Sequence, residues 1–182
     1  MVDERTAIAG RARLFTALPL PGEAVDSLRA ELARHPCGPG SRRLRWSRPQ
    51  TWHVTLGFYG MDDPRERSAW LRERLAGIAA PVVRLEASGS FRGVLWIGVR
   101  GDGLDELAAA VRPEDEERAF RGHLTLARGD APAAIRAWAR LLGSYRGPAW
   151  TAREVVLFRS DAGARGHVHT PVERFPLGRP VT

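Results

Sequence analysis

The chain has 182 residues and a formal net charge of +7, and all 28 of its Lys+Arg residues are arginine. Having no lysine, it has no means for a P-loop lysine on phosphates, a lysine nucleophile in nucleotidyl transfer or a Schiff base. A single cysteine, Cys37, excludes an intrachain disulfide and a Cys-rich zinc site, while 43% hydrophobic residues suffice for one buried core.

In chain order, residues 1–12 read as a polar, flexible leader and residues 13–182 as a single domain. Arg13 to Leu18 has the composition of a buried strand. Pro21-Gly22-Glu23 opens a helix with Val25, Leu28 and Leu32 on one face. Pro36 to Gly40 ends it, with Cys37 in a loop where nothing nearby supports a catalytic thiol. An Arg-rich loop follows (Arg42, Arg43, Arg45, Arg48), which either guides a nucleic-acid backbone or is simply solvated. His53 to Tyr59 reads as a strand. Asp63-Pro64 is an N-cap and first-turn proline for a helix carrying Trp70, Leu71, Leu75 and Ile78.

Two strands are expected near Val82–Ala87 and Val94–Val99, then a turn at Gly101-Asp102-Gly103 and a short helix through Leu104, Leu107, Ala108 and Val111. His123 to Ala127 is another strand. Asp130 and Pro132 start a helix through Ile135, Trp138, Leu141 and Leu142, which Gly143 ends. Glu154–Arg159 and Val168–Phe175 are closing strands, with a hairpin turn at residues 161–166. This order is α+β, and it reads as one strand–helix unit used twice. No Pro-, Gly- or Ser-rich linker divides the halves, so two pseudo-equivalent lobes around one cleft are expected. The apolar run from Leu14 to Leu20 is too short to span a bilayer and nothing resembles a signal peptide, so a cytoplasmic protein is expected.

The same four-residue pattern occurs twice, 70 residues apart: His53-Val54-Thr55-Leu56 and His123-Leu124-Thr125-Leu126. In a strand, side chains alternate between faces, so each histidine shares a face with its threonine, roughly 6–7 Å along the strand. Two such faces opposed across a phosphodiester make chemical sense. Hydrolysis needs a base to activate water and an acid to protonate the leaving oxygen, and histidine does either near neutral pH. Threonine hydroxyls can donate to the non-bridging oxygens. Arg128, five residues after His123, can add a charged bidentate donor. This set calls for no metal and no cofactor. One such stretch alone would describe any half-buried strand. Two copies in matching halves of a chain with five histidines argue for chemistry.

These motifs resemble those of the 2H phosphoesterases, and specifically of the bacterial RNA 2′,3′-cyclic phosphodiesterases, also called 2′-5′ RNA ligases. The resemblance runs from about Arg13 to Leu177. It rests on Arg13-Leu14-Phe15-Thr16-Ala17-Leu18, Leu44-Arg45-Trp46, His53 to Phe58, Phe120 to Arg128, Glu154 to Ser160 and Glu173 to Leu177. It implies a bilobal α+β fold, two pseudo-symmetric antiparallel-sheet lobes with outer helices around a central cleft. It implies hydrolysis of RNA 2′,3′-cyclic phosphate ends, such as those of tRNA fragments, to 2′-phosphomonoesters, by an RNA 2′,3′-cyclic 3′-phosphodiesterase. By the same resemblance His53 matches the donor to the leaving 3′ oxygen, His123 matches the acceptor that activates water, and Thr55, Thr125 and Arg128 match phosphate contacts. Minor 2′-5′ joining without nucleotide activation is consistent with the missing lysine. A monomer is expected. The chain departs from the family in its longer leader, in the short acidic segment Glu114-Asp115-Glu116-Glu117, and in His167 and His169 of the last strand. These departures bear on substrate preference.

Phe15, Trp46 and Phe58 are aromatic candidates to stack a terminal base, or else parts of the core. His167 and His169 alternate onto one strand face, where they can line the cleft mouth or supply two ligands of a metal site that lacks an evident third. Two other functions fit the same residues. One is cyclic phosphodiester hydrolysis on a nucleotide-derived metabolite. The other is a non-catalytic, basic RNA-binding module, which would show steep salt dependence and no product.

Overall fold

The computed structural model describes residues 10–36, 38–113, 115–164 and 166–179. Cys37 and residues 1–9 of the expected leader lie outside these; Ala12, which was assigned to the leader, is already the first residue of a strand. The described elements run β1 (Ala12–Pro19), α1 (Gly22–Ala33), β2 (Arg45–Trp46), β3 (His53–Asp62), α2 (Pro64–Leu75), β4 (Val82–Phe91), β5 (Val94–Asp102), α3 (Leu104–Ala110), β6 (His123–Arg128), α4 (Pro132–Leu141), β7 (Arg146–Thr151), β8 (Glu154–Gly163) and β9 (Gly166–Pro176). Local signals act unevenly: the expected turn at Gly101-Asp102-Gly103 is strand as far as Asp102, which pairs with Val82, and α4 starts at Pro132 with Ala131, not Asp130, at its N-cap. The Asp63 carboxylate caps α2 by accepting from the Arg65 and Glu66 amides, with Pro64 in the first turn.

The strands form two antiparallel sheets, in the orders β3-β1-β8-β9 and β2-β6-β5-β4-β7. Apart from the two-residue β2, the orders correspond strand for strand: β1 lies between β3 and β8 as β5 lies between β6 and β4. The unit β1-α1-β3-α2 thus has its counterpart in β5-α3-β6-α4. The sheets nevertheless do not coincide with the sequence halves. The C-terminal β8 and β9 complete the sheet begun by β1 and β3, while β2 crosses over to pair with β6. Helices cover the outer faces: α1 packs against β7, α2 against β9, and α4 against β4 and β5. β3 and β6 lie beside each other where the sheets meet. The apolar residues of the motifs, Val54, Leu56, Leu124 and Leu126, are buried in one continuous core.

Two strands escape the sequence pattern. The two-residue β2 lies within the expected Arg-rich loop, and β7, whose Arg146-Gly147-Pro148 lacks apolar alternation, is an edge strand, where proline is tolerated. The last hairpin is tighter than expected. β8 and β9 pair up to Gly163 opposite Gly166, so residues expected in the turn belong to strands. Gly166 has φ 115°, a conformation open to glycine at little cost.

Candidate active site

The two motifs fold alike residue by residue. His53 and Thr55 are half-buried while Val54 and Leu56 between and after them are buried, and His123, Leu124, Thr125 and Leu126 repeat this alternation. Each imidazole is held in the same way. His53 Nδ1 donates to the Thr51 carbonyl at 2.8 Å, and His123 Nδ1 donates to the Arg121 carbonyl at 2.7 Å. A carbonyl oxygen only accepts, so in each ring the Nδ1 carries a proton and Nε2 is left to exchange protons with a substrate.

Simple alternation would put Arg128, an odd number of residues after His123, on the core face with Leu124. A β-bulge prevents this. In β3 the register steps from Gly57 opposite Thr16 to Thr55 opposite Ala17, leaving Leu56 as the extra residue. In β6 it steps from Ala127 opposite Leu95 to Thr125 opposite Trp96, leaving Leu126 extra. One extra residue inverts the alternation beyond it. The fifth residue after each histidine therefore returns to the His-Thr face: Arg128 in one lobe, Phe58 in the other. Both are exposed, Phe58 by 66%. Ser47 satisfies carbonyls at the second bulge, its hydroxyl donating to Thr125 O at 2.6 Å and Leu126 O at 2.7 Å.

Aromatic rings support both histidines, differently. Phe15 lies 5.2 Å from His53, 5.8 Å from Phe58, 5.3 Å from Phe158 and 4.8 Å from His169, ring to ring. It is 2% exposed. The expectation that Phe15 stacks a terminal base is therefore corrected: it has no open face, and it props up His53. Trp46 is half-buried, pinned by its indole N–H on Ser41 O and by the edge of Trp138. Its backbone pairs with Ala127 of β6, and it stands in the wall of a cavity that His53 also lines. Of the three aromatic candidates, Phe58 alone offers an open ring on the His-Thr face. Around His123, Phe91 stands edge-on at 5.3 Å and Trp96 lies at 6.3 Å. Trp96 sits flat on Gly89, where a Cβ would fall 2.3 Å from the indole. Sequence reading missed Phe91, Trp96 and Phe158. The glycine at position 89, in a strand that also bulges at Ala87, is the one signal that pointed to a ring lying across the sheet.

Burial lowers the pKa of His53 below 6.5; the Thr51 hydrogen bond opposes this and the nearby His123 charge adds to it. His169, 5.4 Å from His53 ring to ring, is lowered by burial, then by His53 and His167. Among the described residues no group of three or more His, Cys, Asp or Glu side chains is placed to hold a metal ion, so His167 and His169 gain no third ligand. No helix among the described residues is long and apolar enough to cross a membrane.

A model of the LigT-like phosphoesterases matches residues 18–100, the span that carries the first motif. The chain is 31% identical over 188 residues to the RNA 2′,3′-cyclic phosphodiesterase of Thermus thermophilus, covering 91% of this chain and 90% of that protein. Among solved structures it is similar to TT0787 of Thermus thermophilus (28% identity, TM-score 0.68, 91% of this chain and 97% of that one). It is also similar to E. coli LigT in its apo form (26% identity, TM-score 0.72, 93% of this chain and 99% of that one). With this relationship across nearly its whole length, the chain belongs to the LigT-like phosphoesterases of the 2H superfamily and is an enzyme.

Proposed function

We propose that the enzyme hydrolyses RNA 2′,3′-cyclic phosphate ends to 2′-phosphomonoesters by acid–base catalysis between His53 and His123. The observation that carries this reading is the duplicated anchoring: two imidazoles on adjoining strands, each with Nδ1 tied to a backbone carbonyl and Nε2 left available. Water attacks phosphorus and gives a proton to His123 Nε2. The P–O3′ bond breaks, and the 3′ oxygen takes a proton from His53 Nε2. Thr55, Thr125 and Arg128 hold the non-bridging oxygens, where negative charge gathers. Phe58 gives the terminal base a stacking face.

His53 must be protonated to act as the acid, and its site disfavours that in the free protein. The bound phosphodiester is an anion beside it, and an opposite charge raises a histidine pKa. Substrate binding thus arms the acid. A 5′-hydroxyl in place of water would, by the same proton transfers, give a 2′-5′ linkage as a minor product. The test is incubation of an RNA ending in a 2′,3′-cyclic phosphate in the presence of chelator, with 2′- and 3′-phosphate products resolved. A 2′-phosphate is expected from the native enzyme, and its formation is expected to be slower by about 10²-fold or more in His53→Ala or His123→Ala. A 3′-phosphate, or undiminished turnover by either variant, overturns the reading.

A further inference from the structure

A cavity of about 800 Å3 opens where β3 begins. Thr51, Trp52 and His53 line it, whereas Phe58, further along the strand, does not, and neither do His123 and Arg128. Pockets of roughly 300–1,000 Å3 hold whole organic ligands, so this one has room for much more than the cyclic phosphate that His53 would handle. Its charge is one-sided. Arg29, Arg48, His167 and His169 face it, and no described residue of its wall is Asp or Glu. The ion pair of Arg29 is with Asp26 at 3.6 Å, and both side chains are well over half exposed, so the contact is weak and leaves the guanidinium available to a ligand. One wall is Trp46, whose indole cannot swing because its N–H is bonded to Ser41 O at 3.2 Å and its ring meets Trp138 at 4.9 Å.

The geometry points to this cavity as the subsite for the RNA strand upstream of the cyclic end. The inference rests on the phosphodiesterase reading above. A terminal nucleotide held by the two His-Thr faces, its base toward Phe58, sends its 5′ phosphodiester along the other direction of β3, into the cavity. Arg29, Arg48 and the His167–His169 pair supply donors for the next phosphates, and Trp46 supplies a rigid face for a base. A cyclic mononucleotide has a single phosphate and leaves these groups unused. The enzyme therefore selects cyclic-ended strands over cyclic mononucleotides. His167 and His169, which depart from the family pattern, are part of that selection.

The experiment compares kcat/KM for tetraadenylate ending in a 2′,3′-cyclic phosphate with kcat/KM for 2′,3′-cyclic AMP, in the native enzyme and in Arg29→Gln/His167→Gln. The native enzyme is expected to favour the tetranucleotide by at least about tenfold, with the steeper salt dependence of a contact to several phosphates. The double variant is expected to lose about tenfold on the tetranucleotide and less than twofold on cyclic AMP. Equal rates on both substrates in the native enzyme, or equal losses on both in the variant, overturn the subsite. Titration with a 2′-phosphate-ended tetraadenylate and with 2′-AMP separates this from failure of the functional reading. If nothing is hydrolysed but the tetranucleotide binds more tightly and the double variant erases the difference, the subsite stands and the reaction is wrong. If the two bind alike, the subsite is wrong.

Discussion

The two His-Thr strands share a backbone and differ in what surrounds it. Both bulge after the threonine, both tie Nδ1 to a carbonyl two residues upstream, and both bury the intervening apolar residues. Yet His53 sits among Phe15, Phe158 and His169, beside a cavity, while His123 sits between Phe91 and Trp96 with Arg128 on its strand. The residue re-aimed by the bulge is aromatic in one lobe and cationic in the other. The difference teaches how one unit used twice yields two roles. The shared backbone anchors two imidazoles alike, burial makes one of them less basic, and in the proposed mechanism the flanking rings and charges orient the substrate between them.

The hardest blow to the comparison is to remove either imidazole. His53→Ala and His123→Ala should each lower kcat about 10²–10⁴-fold, and the double variant should lose little more than the worse single one, because the two act on one proton inventory. Fully additive losses, measured by single-turnover hydrolysis, would argue that the lobes work independently. Next come the two residues at the bulge-directed position. Arg128→Leu should lower kcat about 10²-fold, since it removes a donor to developing charge, with Arg128→Lys recovering part of that loss. Phe58→Ala should act mainly on KM, about tenfold, as loss of one stacked base. If both substitutions change kcat and KM in the same proportion, the division of labour between the lobes is wrong.

Most of this asymmetry was hidden in the sequence, whereas the symmetry was plain. Alternation around His53 and His123 gives the shared face directly, because period-two patterning is local. The bulges at Leu56 and Leu126 are not local. They depend on how β1 and β5 register against their neighbours, and nothing in Thr-Leu-Gly or Thr-Leu-Ala announces an extra residue. Arg128 therefore reads as a phosphate donor from its place after the second motif and from the resemblance, although strict alternation alone would put it on the core face. Phe15 failed as a stacking residue for the opposite reason. Its composition allowed either role, and being central in its sheet, under four other rings, decided for burial. The exchange of β8, β9 and β2 between halves was illegible because strand order is a property of long-range pairing.

Trp96 offers a smaller test confined to the His123 lobe. Gly89→Ala would drive a Cβ into the indole ring that lies on that glycine. The ring must then lift, at a cost of about 1–3 kcal/mol in denaturant unfolding. The indole stands 6.3 Å from His123, so its displacement should reach that imidazole and leave His53 untouched. Gly60→Ala is not an equivalent control, since Gly60 has open space but φ 64° and would strain the backbone instead. A variant at position 89 as stable as the native protein would mean that the indole does not rest there.

The finest measurement is the titration of His53 itself, followed by NMR of its Cε1 proton. Burial is the largest cause of its lowered pKa, and the charge of His123 is a further one. His53 should therefore titrate below 6.5 in the native protein. In His123→Asn it should titrate higher than in the native protein but still below 6.5, because the neighbouring charge is gone and burial remains. The sign carries over to stability. With a folded-state pKa below that of the unfolded chain, the unfolded state binds more protons between the two values, so the contribution is full above pH 6.5 and fades as pH falls through the lowered pKa. His53→Asn should flatten that part of the stability profile, and His123→Asn should flatten it less. An unchanged His53 titration in His123→Asn would mean that the two imidazoles do not sense each other, and the single acid–base pair across the cleft would have to be given up.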